Sequence, residues 1–119
     1  MDASLFINAY IEAIKFTDEI FRKTDRDSHP STADRIEKSC REFMRRAEEL
    51  CPEIDWNDPE VVTHAAHDFW LTRNGHGAGF WDGDWPEDVG RKLTALSKEF
   101  GEQWHYVGDD GLIYLEGGQ

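Results

Sequence analysis

Apolar side chains recur every three to four positions through the first part of the chain. Phe6, Tyr10, Ile14, Thr17 and Phe21, with Ile7, Ile11 and Ile20 beside them, make a broad stripe that predicts a helix from near Ser4 to about Lys23. Thr24 to Pro30, with Asp25, Asp27, Ser28 and His29, has turn composition and no period, and predicts the loop that reverses the chain. Ser31 with Asp34, or Thr32 itself, offers an N-cap, after which Ile36, Cys40, Phe43, Met44, Ala47 and Leu50 mark a second helix ending just before Pro52. Its other face alternates Arg35, Lys38, Arg41, Glu42, Arg45, Arg46, Glu48 and Glu49, the pattern of a solvated surface with pairs four residues apart.

Asp58 followed by Pro59 signals a third start, because proline in the first turn gives up a donor that has no partner there anyway. Val62, Ala65, Ala66, Phe69 and Trp70 continue an apolar face, and Asn74-Gly75 should stop it through a left-handed cap. A fourth helix is expected to begin around Asp84 to Pro86, carry Val89, Leu93, Leu96 and Phe100 inward and stop at Gly101. The period then shortens. Trp104 to Val107, a Gly108-Asp109-Asp110-Gly111 turn and Leu112 to Leu115 predict a hairpin. Two strands alone are marginal, so the hairpin must pack on the helices. The expected fold is α+β, a single compact domain over residues 1–119, with about four helices and a C-terminal two-stranded antiparallel hairpin packed on them.

Composition narrows what such a domain can bind. Acidic residues number 25 against 13 basic ones, a formal charge of −12, and the excess grows after Asp58. Such a field repels phosphate backbones and anionic lipid, which excludes direct nucleic-acid binding and membrane docking and favours a protein partner with a basic surface. Cys40 and Cys51 are too few for a disulfide framework and are not in CxxC spacing, and Cys40 falls in the apolar stripe, where a thiol is inert. No basic region precedes an apolar run and no stretch is long enough to span a bilayer, so the expected compartment is the cytoplasm.

The segment between the third and fourth helices combines glycines with large rings: Arg73-Asn74-Gly75-His76-Gly77-Ala78-Gly79-Phe80-Trp81-Asp82-Gly83-Asp84-Trp85. Glycines permit close approach, and Phe80, Trp81 and Trp85 either plug the core or wall a site, so an ordered loop is expected. A phosphate loop does not fit, since there is no Walker lysine and the glycines do not match G-x-G-x-x-G. A divalent-metal site is the rival reading: His64 and His67 share a helix face, and His76, Asp68, Asp82 and Asp84 could converge on them, although HExxH and CxxC are lacking. Against it stands a structural reading in which Asp82 or Asp84 caps the next helix. Arg73, in the last turn of the third helix, is expected to reach Asp82 or Asp84 and so fasten the loop.

The string from His67 to Asp82, HDFWLTRNGHGAGFWD, resembles a signature of a family of small, mostly uncharacterised bacteriophage- and prophage-encoded proteins. Ala65-Ala66 extends the match to eighteen consecutive residues. The likeness also reaches the segment around Cys40 and Phe43, and Tyr106-Val107-Gly108-Asp109-Asp110-Gly111-Leu112-Ile113-Tyr114 looks like the family's closing motif. The chain is short between its first two helices, where related proteins carry a longer polar insertion, which removes any partner site that insertion holds. The resemblance implies a viral or mobile-element setting, in which small acidic proteins often act by binding host machinery, and it brings no catalytic assignment.

The leading expectation is therefore an accessory protein that binds and modulates a host protein, such as a defence or nucleic-acid-handling complex. Its expected interface is Arg73, Asn74, His76, Phe80, Trp81, Asp82, Asp84 and Trp85, with Asp109 and Asp110 of the hairpin turn. The alternatives are a small metal-dependent hydrolase or metal-binding module using His64, His67, His76 and Asp82, and a homo-oligomeric structural protein. No catalytic residue and no organic cofactor is assigned.

Overall fold

The structure is a computed structural model and describes residues 1–20 and 28–119. Among these residues four helices precede a hairpin: α1 (Ala3–Thr17), α2 (Pro30–Leu50), α3 (Pro59–Arg73), α4 (Glu87–Glu99), β1 (Gln103–Val107) and β2 (Ile113–Gly117). The strands pair antiparallel, His105 opposite Leu115 and Tyr106 opposite Tyr114. The α+β architecture expected from the sequence is the one observed.

Local chemistry sets most boundaries. Asp2 caps α1, its carboxylate accepting from the Leu5 amide at 3.1 Å. The helix stops at Thr17, six residues short of the expected Lys23, while Phe21 and Lys23 themselves lie outside the described residues. Asp18 explains the stop: its backbone turns extended, and its carboxylate meets His105 Nδ1 at 2.7 Å and accepts from the Ile20 amide. Ile20, placed in the stripe by periodicity, is exposed. Of the expected loop, residues 24–27 also lie outside the described residues. Asp58 and Pro59 open α3 as their sequence predicts, with Asp58 accepting from the Glu60 amide at 3.0 Å.

The start of α2 corrects the sequence reading. His29, not Ser31 or Thr32, is the N-cap, its Nδ1 accepting from the Ser31 amide at 3.1 Å, and Pro30 opens the helix. Thr32 is buried and donates its hydroxyl to the Ile113 carbonyl at 2.8 Å. Arg35 does not belong to the solvated face either. Its guanidinium donates to the carbonyls of Leu115, Gly117 and Gly118, closing the outer edge of β2 against α2. Farther along, the expected surface pairs are present, Arg41 with Glu37 and Arg45 with Glu42 and Glu49. The hairpin thus packs on the helices through its buried face, with Ile113 and Leu115 inside, and through hydrogen bonds to its edge.

Phe43 of α2 sits at the centre of the core. Its ring lies 4.1 Å from Phe69 of α3, 5.8 Å from Phe6 of α1, 5.8 Å from Phe80 of the glycine loop and 6.2 Å from Phe100 at the end of α4. Four separate segments therefore meet on one side chain. Cys40 and Cys51 are free and buried, and burial pushes the Cys40 thiol far above its ordinary value, which suits an inert core residue.

Candidate functional site

The site begins with the way α3 ends. Gly75 takes a positive φ of 69°, its amide donates to the Thr72 carbonyl, and the His76 amide reaches back to Leu71 at 3.0 Å. This is the left-handed stop that Asn74-Gly75 predicts, and it uses up two of the helix's terminal carbonyls. Asn74 adds two bonds of its own, donating to Trp70 O and accepting from the Gln103 amide at 2.8 Å, which joins the helix end to the start of β1.

From there the loop is keyed into α3. Thr72 Oγ1 accepts from the Phe80 amide at 3.1 Å, and the Phe80 ring is fully buried against Phe43 and Trp85. The fit leaves no room for side chains at two crossing points. A Cβ on Gly79 would collide with Thr72 Oγ1, and one on Gly90 of α4 would lie 2.6 Å from the Phe80 carbonyl. Asp82 closes a tight turn by accepting from the amides of Gly79 and Asp84. Neither Asp82 nor Asp84 caps α4, which starts after Pro86 with no side-chain cap.

Trp85 anchors the far end of the loop. Its indole donates to Asp68 Oδ2 at 2.7 Å inside the protein, and its ring is surrounded by Phe80, Trp56 and His64. His64 Nε2 approaches the same Asp68 oxygen at 3.1 Å and Asp84 Oδ2 at 3.6 Å. Burial raises the Asp68 carboxyl above the ordinary aspartate range, against the opposing pull of the Trp85 hydrogen bond and the His64 ring, while Asp82 and Asp84 add to the rise. Asp68 therefore works as the buried acceptor of the Trp85 indole, with the His64 ring beside it.

Arg73 does something other than expected. It contacts neither Asp82 nor Asp84. It is buried, donates to the carbonyls of Gly101, Phe100 and Gln119 and to the Tyr10 hydroxyl, and lies over the rings of Phe69 and Phe100. The reason is geometric: the end of α3 abuts the end of α4 and the last residues of the chain, whose carbonyls lie outside the helix and strand ladders and accept from Arg73 as well as, at Phe100 and Gln119, from the Gln119 amide and the Ser39 hydroxyl. The loop is fastened by Thr72 and Asp68 instead.

What remains outside is Trp81, 56% exposed between two buried rings. Phe80, Trp81 and Trp85 line one open cavity of about 520 Å³ with Gly83 of the loop and Glu87, Gly90, Arg91 and Thr94 of α4. Thr94 Oγ1 is buried there without a hydrogen-bond partner. Glu87, Arg91 and Thr94 were not singled out from sequence, although their spacing on the face of α4 opposite Leu93 and Leu96 carries the signal.

The remaining expected site residues are dispersed. His76 is half-buried after the helix stop, Asn74 is structural, and Asp109 and Asp110 lie in the hairpin turn, at the end of β1 away from Asn74. Of the proposed metal set, His64 turns to Asp68 and Asp84, whereas His67 faces a cavity between α1 and α3 lined by Ala13, Thr17 and Leu71, its buried Nε2 unpartnered. Among the described residues no three histidine, cysteine or acidic side chains form a group that could hold a metal ion. Nor, among them, is any helix long and apolar enough to cross a membrane.

No family model, curated protein or solved structure matches the chain. The loop and its cavity are thus read on their own chemistry.

Proposed function

We propose that this chain is an accessory protein of a bacteriophage or other mobile element that works in the host cytoplasm by binding and modulating a host protein. Its contact is Trp81 with the adjoining cavity and the acidic flank of Asp82, Asp84 and Glu87, and its partner presents a basic surface, as defence and nucleic-acid-handling complexes do. One observation carries this reading: Trp81 stands 56% exposed on a loop whose neighbours Phe80 and Trp85 are buried and hydrogen-bonded in place. A large ring held out by a fixed support loses little freedom on docking, which is the property of an interface anchor. The charge of −12 supports the choice of partner, since it speeds encounter with a basic surface and discourages nucleic acid itself.

The test is capture from host lysate at low salt, with the full chain and its Trp81→Ala variant immobilised side by side. The expected result is a specific partner whose recovery falls about tenfold with the variant, the loss typical of an anchor. A lysate that yields nothing above background, or a partner captured equally by both proteins, overturns the reading.

A further inference from the structure

The solvent face of the hairpin carries a second group of rings that the loop site does not use. In β1 the side chains alternate, and the two aromatic ones point outward: Trp104 is 53% and Tyr106 39% exposed, while Gln103 and His105 are buried. Across the sheet Tyr106 stacks on Tyr114 with ring centres 5.6 Å apart and planes at 17°. Tyr114 in turn stacks on His29 at 4.7 Å and 20°, and donates its hydroxyl to Asp110 Oδ2 at 2.5 Å. Missing Cβ atoms make room for this arrangement. A Cβ at Gly108 would lie 2.5 Å from the Tyr114 ring, and one at Gly117 would strike the Trp104 indole. The rings therefore lie along the strands as one strip, with Tyr114 stacked on both Tyr106 and His29 and Trp104 and Tyr106 the more exposed members.

Within the hairpin segment the formal charge has a single sign. From Gly101 to Gln119 the sequence holds Glu102, Asp109, Asp110 and Glu116 and no lysine or arginine. Glu116 sits directly across from Trp104. Arg35, which reaches this part of the molecule, spends its guanidinium on the carbonyls along the edge of β2. Isolated exposed aromatics are common on any surface. Three on one sheet face, stacked or laid on glycines in a hairpin whose own formally charged side chains are all carboxylates, form a surface matched to a flat cation: guanidinium groups stack on rings and pair with carboxylates at once.

We infer that the outer face of the hairpin is a docking surface for an arginine-bearing, net basic segment of a partner protein, laid across Trp104, Tyr106 and Tyr114. The negative field works against a single-stranded nucleic acid, whose bases would stack on the same rings but whose phosphates are repelled. A neutral glycan would use the rings and draw no benefit from the uniform charge. The inference does not rest on the loop reading, since it involves different residues.

The experiment measures fluorescence anisotropy of a labelled arginine-serine repeat peptide titrated with the full-length protein at low salt. The comparison ligands are the same peptide with citrulline for arginine, a labelled oligothymidylate and a labelled linear glucan. The arginine peptide should bind and release with added salt, and the citrulline peptide should bind at least about tenfold more weakly. Trp104→Ala combined with Tyr106→Ala should weaken the arginine peptide about tenfold or more, Trp104→Phe with Tyr106→Phe should restore most of that loss, and Trp81→Ala should leave it unchanged. Equal binding of the citrulline peptide, preference for the oligonucleotide or glucan, or insensitivity to the double alanine variant overturns the inference. A loss confined to Trp81→Ala overturns it too, while upholding the loop as the contact.

Discussion

Residues 75–86 and residues 103–117 are made of the same materials, glycine, large rings and acidic side chains, and dispose of them in opposite senses. In the loop the glycines clear space on the inside, so that Phe80 and Trp85 enter the core and only Trp81 is left out. In the hairpin they clear space on the outside, so that Trp104 and Tyr114 lie along the strands facing solvent. The difference comes from what each segment has to satisfy. The loop spans two helix ends and finds buried acceptors for its donors in Thr72 and Asp68. The hairpin has one face covered by helices and one edge held by Arg35, and on its second face Trp104 and Tyr106 stay exposed among the described residues. Composition alone tells a reader that rings and glycines belong together; the neighbouring polar groups decide which way they turn.

The largest effect expected from breaking this contrast is in the loop. Phe80→Ala should cost about 3–5 kcal/mol, as for other fully buried phenylalanines, measured by urea denaturation followed by circular dichroism. If the cost matched that of an exposed hairpin ring, the loop would not be part of the core.

Next in size is the buried hydrogen bond beneath it. Trp85→Phe keeps a ring and removes the hydrogen bond to Asp68 Oδ2, leaving that oxygen only its His64 neighbour at 3.1 Å, which should cost about 1–3 kcal/mol. The sign of the accompanying pH effect follows from the raised Asp68 carboxyl, which makes the folded chain hold its proton more tightly than the unfolded one. The stability from that group is complete below the unfolded aspartate value and is lost as pH rises through the higher folded value. Asp68→Asn abolishes the loss, so the melting temperature of the variant minus that of the parent should increase with pH across this window. A difference that stays flat would mean that His64 and Trp85 compensate the buried charge in full.

The smallest effect sharpens the comparison from the other side. Trp104→Ala should change stability by no more than about 0.5 kcal/mol, because the ring is half exposed and lies outside the buried core cluster. A loss several times larger, by the same denaturation measurement, would make the hairpin rings structural and deprive the docking surface of its motive.

Where a feature depends on neighbours in sequence, it was legible. Asp58-Pro59 and Asn74-Gly75 declare a helix start and stop within four residues, and both do what their local chemistry dictates. The features that escaped depend on partners far along the chain. The end of α1 turns on Asp18 meeting His105, 87 positions away, and no propensity announces it. Arg73 looked like a partner for a nearby carboxylate because charge suggests charge, whereas three carbonyls from distant residues accept from it instead. The alternation in β1 marks a strand, yet hydropathy would turn Trp104 and Tyr106 inward. The register with Ile113 and Leu115 buries Gln103 and His105 in their place. Of the candidate site, the loop's order was readable from its glycines and rings; which of its three aromatics would stay outside was not.

The Phe43 ring ties α1, α3, α4 and the glycine loop to one point. Withdrawing Phe80 to open the loop would uncover the side chain on which the helices also lean, so opening there is expected to disturb the packing of all these segments together. On the proposed reading, a partner docking on Trp81 meets this contour ready-made, and the pace of capture is set by collision and orientation, not by waiting for a door to swing.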